Sequence, residues 1–561
     1  MSRSNSLRIA FIHPDLGIGG AERLVVDAAL GLQRLGHYIE IFTSHHDPKH
    51  CFDETRDGTL HVHGIHPPLP RAIAGKFHIL FAHLRQLHLI SYLLRPGGPD
   101  FDVYFVDQLS ICIPLLRLLG GRRVVFYCHF PDKLLANGEY VEGKMLRQGG
   151  LLKRAYRVPM DWLEEVTTRN ADIILANSRF TSSVFRAYFS SIPQDPRVVY
   201  PGVNLSAYEP LPVTALQDPD VAGVLSSRPT LLSMNRFEKK KNALLAIDAF
   251  ALLRKSLALT SDADRSADAR LILAGGYDPR VEENTRTLAG LVERAKDRSL
   301  TYIITKPAAS PVALPAFTAP VGAPDIVFLL NFSTAQRAAL LNAPSTRVLL
   351  YTPANEHFGI GPVEGMACGV PVLACNSGGP TESLLDGTTG WLRTPEPAVW
   401  ADALADCLRM DESARGSMAT AGRRRARELF GMDAMATQLE REVRAADALG
   451  PIPTGWRWRV SAVLVSTFAG FMSSIFSEIG DTSYAVILFF ALASSRMWGF
   501  GAYADARAAG PVPENWRRPG SKWEMLSCAM SLVFGGLFAN VFLTSGRRQY
   551  GPPPLAKLRW G

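Results

Sequence analysis

The chain has 561 residues, 47% of them hydrophobic, enough for roughly two to four cored domains. Its formal net charge of +8 suits a phosphate-bearing ligand or an anionic membrane surface, and the lack of an arginine-rich run with interleaved aromatics argues against nucleic acid as a partner. The seven cysteines are scattered with no Cys-x-x-Cys pair, which argues against a disulfide framework or zinc module and for a reducing compartment.

The opening "MSRSNSLRIAFIHPD" carries an apolar run, Ile9 to Ile12, too short for a signal peptide. It reads as a first buried strand. Through about residue 200, short apolar runs alternate with helical stretches. Strands are expected at 7–12, 38–43, 103–107, 123–127, 172–176 and 197–200, and helices at 20–35, 77–94, 144–170 and 179–189. Such alternation argues for a parallel sheet covered on both faces. The polar, proline-bearing stretch 206–228 reads as a linker. The pattern then restarts, with strands at 229–237, 269–276, 325–330, 347–353 and 371–379 and helices at 242–256 and 281–295. Two successive α/β domains, 1–205 and 229–427, imply a cleft between them where ligands bind. Segment 306–324, rich in Pro and Ala, reads as a flexible insertion on the second domain's surface. Residues 428–455 are expected to supply a closing helix and a connector.

The composition then changes. Segments 460–477 and 525–546 carry no charge, and 483–500 is equally apolar but for Arg496. A spanning helix needs ~20 mostly apolar residues. Residues 456–561 are therefore expected to be membrane-associated; the alternative is a helical hairpin packed on the globular part. The stretch 76–96 has no acid and many bulky apolar positions. It reads either as a basic amphipathic helix on a membrane surface, with Lys76 and Arg85 facing lipid, or as a core helix.

Several motifs sit at expected strand ends. In "HPDLGIGGAER" a glycine loop with Gly17, Gly19 and Gly20 precedes a helix. Its backbone N–H groups face a phosphate or sugar, or it is a tight turn only. It lacks the spacing of a nicotinamide-binding loop. His129 closes a first-domain strand in "YCHFPD" and reads as structural or as a cleft residue. In the second domain Arg236 and Lys241 of "NRFEKKKN" crowd a strand end, where two cations can neutralise a pyrophosphate. Gly276 lies in "AGGYDPR", and "NSGGPTES" places Gly378 and Gly379 before a helix start. In "EHFGIGPVE", Glu356 and Glu364 stand eight positions apart across a loop that breaks into a helix, with Pro362 fitting its first turn.

Arg236 with Lys241, then Glu356 and Glu364, then "SGGPTE", resemble the retaining glycosyltransferases of family 4, which have the GT-B fold: two Rossmann-like domains facing a cleft. "HPDLGIGGAERLVVDAAL", "HHDPKHCF", "YCHFPD", "YRVPMDWLEE", "NRFEKKKN", "AGGYDPRVEEN" and "YTPANEHFGIGPVEGM" are similar, within that family, to the dolichol-pathway α-1,3/α-1,6-mannosyltransferases. The resemblance implies transfer of mannose from GDP-mannose to a dolichol-pyrophosphate-linked oligosaccharide. It places the catalytic domains on the cytosolic face of the endoplasmic reticulum membrane, with the lipid bilayer and other early-pathway glycosyltransferases as partners. It assigns Arg236 and Lys241 to the donor pyrophosphate and Glu356 to the transferred mannose. The backbone of Phe358, Gly359 and Ile360 would lie near that sugar, and Glu364 would hold the ribose. Gly19 and Gly20 would approach the phosphates, Gly276 would line the donor site, and His129 would lie near the forming bond. No D-x-D stands on a suitable loop, so no essential metal and no cofactor is expected. Two alternatives stay open: a lipid-linked transferase of the same fold using a UDP-sugar, or a catalytically silent nucleotide-sugar-binding scaffold.

Overall fold

The computed structural model describes residues 6–73, 77–95, 97–135, 140–141, 144–145, 151–257, 268–318 and 320–452. The first domain is built on β1 (Arg8–His13), β2 (Tyr38–Thr43), β3 (His61–Gly64), β4 (Val103–Asp107) and β5 (Arg123–Cys128). A small antiparallel ribbon, β6 (Tyr140–Val141) and β7 (Lys144–Met145), precedes β8 (Ile173–Ala176) and β9 (Arg197–Val198). The second domain holds β10 (Thr230–Met234), β11 (Arg270–Gly275), β12 (Tyr302–Thr305), β13 (Ile326–Leu330), β14 (Thr346–Tyr351), β15 (Val372–Cys375) and β16 (Gly390–Arg393). Helices connect successive strands. Each sheet has seven strands, ordered β3-β2-β1-β4-β5-β8-β9 and β12-β13-β11-β10-β14-β15-β16. All the described pairings in both are parallel.

The central strands are apolar on both faces because helices cover both faces. Every residue of β4 and of β13 is buried. The strand order reverses between β1 and β4 in one sheet and between β10 and β14 in the other. At such a reversal the crossovers leave in opposite directions and open a crevice at the carboxyl ends of the strands.

Besides the ribbon strands β6 and β7, three strands of the large sheets escape the sequence reading: β3, β12 and β16. They lie at or near sheet edges and are short and partly exposed, so their apolar runs are weak. The helix expected over 144–170 begins at Leu151, after the ribbon. The 206–228 stretch is no bare linker. It holds short helices at Leu205–Tyr208, Val213–Leu216 and Pro219–Ala222, with Tyr208, Val221 and Val224 buried. Segment 306–324 is anchored rather than loose. Val312 and Phe317 pack on the second core, Phe317 lying 6.3 Å from the ring of Tyr302, and the Ala308 N–H donates to Asp220 at 2.8 Å.

The helix His78–Leu93 buries His83, Gln86, Leu89, Ile90 and Leu93, which is the core-helix alternative. Arg85 does not face lipid. Its guanidinium is largely buried and donates to the carbonyls of Leu69 and Ser44 at 3.1 and 3.2 Å. Lys76 and the apolar segments 460–477, 483–500 and 525–546 lie outside the described residues. Among the described residues no helix is long and apolar enough to cross a membrane.

The last two described helices tie the domains together. Glu412–Phe430 covers the second domain. Met432–Ala448 returns to the first, where Met435, Leu439 and Val443 join the core beneath the helix Gly20–Arg34. The approach is close: a Cβ on Gly31 would stand 2.7 Å from that of Ala436, so an alanine at 31 would push the two helices apart.

Candidate active site

The first domain contributes the ends of β1, β4 and β5. The loop after β1 is pinned to the loop after β2, since the Leu16 N–H donates to the His45 carbonyl at 2.8 Å and Leu16 is fully buried. The helix Gly20–Arg34 then starts with Gly19 as N-cap and no side-chain cap. The glycine loop carries an acid of its own. The Glu22 carboxylate lies against Gly19, where a Cβ would fall 2.2 Å from Oε2. That carboxylate opposes a second anion at the loop and suits sugar hydroxyls, which weakens the phosphate role of Gly19 and Gly20 on electrostatic grounds.

Deeper in the same crevice sits a triad that the motifs did not reveal. Asp107, at the end of β4, is buried and faces two imidazoles. His13 Nδ1 stands 2.8 Å from its Oδ2, and His129 Nε2 stands 2.7 Å from its Oδ1. Burial raises the Asp107 pKa, but the two rings outweigh it and hold the carboxyl below its ordinary value. Burial lowers the His129 pKa, but Asp107 outweighs it and the ring titrates above its ordinary value. His129 thus favours the imidazolium.

The second domain contributes the ends of β10, β11 and β14. After β10 the chain runs through Arg236 to a short turn, Lys239–Lys241, closed by Asn242 in the left-handed region with φ 47°. The Thr352 hydroxyl donates to the Lys241 carbonyl at 2.6 Å and fastens this turn to the end of β14. Gly276 lies directly under Arg236, where a Cβ would stand 3.4 Å from Cγ. Arg236 is exposed and pairs with Glu238 at 3.0 Å. Lys241 is mostly buried, and its ammonium is ion-paired to Glu356. Burial raises the Glu356 pKa, but Lys241 outweighs it and leaves the carboxyl below its ordinary value.

The Glu356 loop is shaped by glycines. Gly359 takes φ +83° and sits 3.0 Å, at its would-be Cβ, from the buried Tyr351 ring. Gly378 and Gly379 approach the same loop from behind, and the Gly379 N–H donates to the Glu356 carbonyl at 2.8 Å. A Cβ on Gly379 would stand 2.1 Å from the Phe358 carbonyl oxygen. The Phe358 ring itself is buried against Tyr200 and Phe430, so only its backbone can meet a ligand. Ile360 opens the helix Ile360–Cys368, with Pro362 in its first turn. Glu364 follows in that helix. It accepts from the Tyr208 hydroxyl at 2.5 Å and faces Arg337 at 3.6 Å. Tyr208 belongs to the supposed linker, and the sequence reading missed it as a partner.

The two halves meet. Phe130, next to His129, stacks on His357, next to Glu356, with centroids 3.8 Å apart and planes 8° from parallel. The Ser178 hydroxyl donates to the His357 carbonyl. Glu382 of "SGGPTE" accepts from the backbone N–H groups of Arg179 and Phe180 at 2.8 and 3.0 Å and from the Tyr200 hydroxyl at 3.0 Å. The structure therefore brings Lys241, Glu356, Phe358 and Gly359 into one loop cluster, and the Phe130–His357 stack joins the segment that carries His129 to it. Arg236 and Gly276 form an adjacent pair on the second domain, and Glu364 lies on the helix Ile360–Cys368 against Tyr208 and Arg337.

Residues 18–207 match the family described as Glycosyltransferase Family 4, and residues 321–425 match Glycosyl transferases group 1. The chain is 45% identical over 438 residues to the α-1,3/1,6-mannosyltransferase ALG2 of Rhizomucor pusillus, covering 78% of this chain and 91% of that one. It is 40% identical over 437 residues to the Homo sapiens protein of the same name, covering 78% and 95%. Sucrose-phosphate synthase from Thermosynechococcus elongatus, at 19% identity, superposes with a TM-score of 0.58 over 79% of this chain and all of that one, a likeness of fold alone. Two parallel-sheet domains arranged as in GT-B glycosyltransferases, together with these relatives, place the chain as an enzyme in the family of α-1,3/1,6-mannosyltransferases.

Proposed function

We propose that this enzyme takes mannose from GDP-mannose and adds it, first α-1,3 and then α-1,6, to the dolichol-pyrophosphate-linked mannosyl-chitobiose that precedes the N-glycan. The observation that carries the reading is the Lys241–Glu356 ion pair, held at the strand-order reversal of the second sheet and closed upon by the His129 side of the first.

In this reading Arg236 and Lys241 hold the donor pyrophosphate. As the bond from the anomeric carbon to the phosphate oxygen breaks, charge grows on the leaving diphosphate, and two fixed cations stabilise it without a metal ion. Glu356 releases part of its hold on Lys241 to that diphosphate and accepts a mannose hydroxyl. The acceptor hydroxyl forms the new bond on the face the diphosphate leaves, and its proton passes to the departing phosphate oxygen. Configuration is thereby retained, and Glu356 positions the sugar rather than attacking it. Glu364 holds the ribose, oriented by Tyr208. Glu22 binds acceptor hydroxyls beside the glycine loop. One donor site with two acceptor poses accounts for two linkages. Residues 456–561 anchor the enzyme on the cytosolic face of the endoplasmic reticulum membrane, beside its lipid-borne acceptor.

The test is incubation of the purified full chain with GDP-mannose and a lipid-pyrophosphate chitobiose bearing one mannose. Products longer by one and then two mannoses are expected. Turnover of a UDP-sugar in place of GDP-mannose, or tight donor binding with no transfer, would overturn the reading. A mannosyl ester trapped on the Glu356 carboxylate of the wild-type enzyme would overturn front-face transfer alone.

A further inference from the structure

Asp107 lies beneath the cleft floor at the end of β4 and meets neither Lys nor Arg among the described hydrogen bonds and ion pairs. Its oxygens are shared between His13 at 2.8 Å and His129 at 2.7 Å. Both His13 and Asp107 are about 1% exposed. A core that needed only packing would hold three apolar side chains here, as it does one residue earlier on each strand, at Ile12, Val106 and Cys128. The three polar residues occupy the carboxyl ends of three adjacent strands, β1, β4 and β5, which are the ends that line the crevice.

The bonding fixes the ring. Which nitrogen of a histidine carries the proton is set by the hydrogen bond the other makes. Nε2 of His129 is committed to Asp107, so Nδ1 is the nitrogen left for a ligand. The side chain is 21% exposed, enough for one edge to reach the cleft. Tyr127 backs the ring from below, at 5.1 Å between centroids. His13 then limits Asp107: with one oxygen held by His13, the carboxylate offers His129 only the other. The far nitrogen of His13, Nε2, is buried with no hydrogen bond, so among the described residues the ring's hydrogen bonding goes to Asp107 alone.

We propose that Asp107 and His13 are positioning residues for mannosyl transfer: Asp107 holds His129 with Nδ1 turned to the reacting sugar, and His13 holds Asp107. The proposal rests on the reading of His129 as the cleft-facing ring beside that sugar. As an imidazolium, His129 presents Nδ1–H as a donor to the oxygen on which charge develops. The other groups that face it are Glu22 from the helix Gly20–Arg34 and Asp132 at the start of the next helix, which favour the cation. His357 from the second domain opposes it.

Two measurements test this in the full-length chain. The first follows the His129 ring directly, by NMR titration of imidazole-labelled protein, the signal being assigned with His129→Gln. Asp107→Asn is expected to lower the His129 midpoint by about one pH unit or more. The second is the pH profile of transfer, whose alkaline limb is expected to move to lower pH in Asp107→Asn while the KM for GDP-mannose stays within about threefold. His13→Asn places an amide N–H where Nδ1 stood and is expected to keep the wild-type limb; His13→Leu is expected to lose it. An unmoved His129 titration in a folded Asp107→Asn protein, or equal impairment of His13→Asn and His13→Leu, overturns the positioning role of these residues. Full rate and an unchanged profile in His129→Gln overturn instead the placement of His129 in the chemistry.

Discussion

The Glu382 carboxylate of the second domain completes the N-terminus of a first-domain helix, accepting the Arg179 N–H at 2.8 Å across 203 residues of sequence. A helix start has N–H groups with no partner inside the helix, and a carboxylate there gains from both hydrogen bonding and the dipole. Ser178 takes the Thr181 N–H at 2.9 Å, and Glu382 takes those of Arg179 and Phe180. Arg425 holds Glu382 in place by donating to its carbonyl at 2.7 Å. The cap is thus made across the domain boundary. Glu382→Ala is expected to cost closure about 1–2 kcal/mol, a roughly 5- to 30-fold loss in kcat/KM. Small-angle scattering should show a larger radius of gyration. An unchanged rate with an unchanged scattering profile would show that closure does not depend on this contact.

Lys241 and Glu356 neutralise each other while largely buried. Removing the cation leaves an unpaired carboxylate, at a cost of about 3–5 kcal/mol when a buried pair is broken. Lys241→Met is expected to lower kcat by roughly 10²–10³-fold, the scale of losing one preorganised partner of a developing charge. On the reading that Arg236 and Lys241 alone neutralise the leaving diphosphate, chelator treatment of the wild-type enzyme should leave its rate unchanged. A rate that falls with chelator and returns with a divalent ion would contradict this account.

Gly379 stands in ordinary helical backbone, so alanine there is conformationally acceptable and the effect is purely one of space. Its Cβ would stand 2.1 Å from the Phe358 carbonyl oxygen, and the Glu356 loop must move. Gly379→Ala is expected to cost about 1–3 kcal/mol in stability. The activity loss should be larger than denaturant unfolding alone explains, because the displaced loop carries Glu356. Equal losses of stability and activity would mean that the loop is not displaced.

What was legible in the sequence follows from what was local. β4 and β13 stood out because they are buried on both faces and so read as continuous apolar runs. β3 and β16, on the edges, carry only weak runs and were missed. Lys241 and Glu356 were readable because each sits in its own motif at a strand end. Asp107 was not: it closes an apolar run, and its partners lie 94 and 22 positions away. Glu382 stands in the first turn of its own short helix, yet it serves the start of another. Tyr208 was hidden in a stretch whose prolines suggested a linker. Contacts that span the fold leave no period in the sequence.

Tyr208 gives Glu364 its orientation through a hydrogen bond of 2.5 Å, with Arg337 over the Tyr208 ring at 4.7 Å. Tyr208→Phe removes one hydrogen bond to a charged group, worth about 1.5–3 kcal/mol. If Glu364 holds the ribose, the loss falls on binding the donor. KM for GDP-mannose is expected to rise roughly tenfold or more, with kcat little changed. A fall in kcat at constant KM would remove Glu364 from the ribose.

Folding stability should also answer to pH through His357. Burial against Phe130 lowers its pKa to about 4, with Glu356 raising it and Lys240 and Lys241 lowering it further. The unfolded chain, with an ordinary histidine near 6.5, binds more protons than the folded one between those values. His357's contribution to stability therefore rises with pH across that window, is complete above about 6.5 and is lost as pH falls toward 4, while Glu164, raised to about 8 by burial, contributes in the opposite sense. His83, buried on the helix His78–Leu93, is shifted to about 4 in the same direction as His357, by burial first and Arg157 second, so part of the dependence is not His357's. His357→Phe preserves a ring to stack on Phe130 and removes the titration. Urea unfolding at pH 7, 6, 5 and 4 should show a shallower loss in that variant than in the wild type. Parallel curves would mean that His357 does not titrate on unfolding.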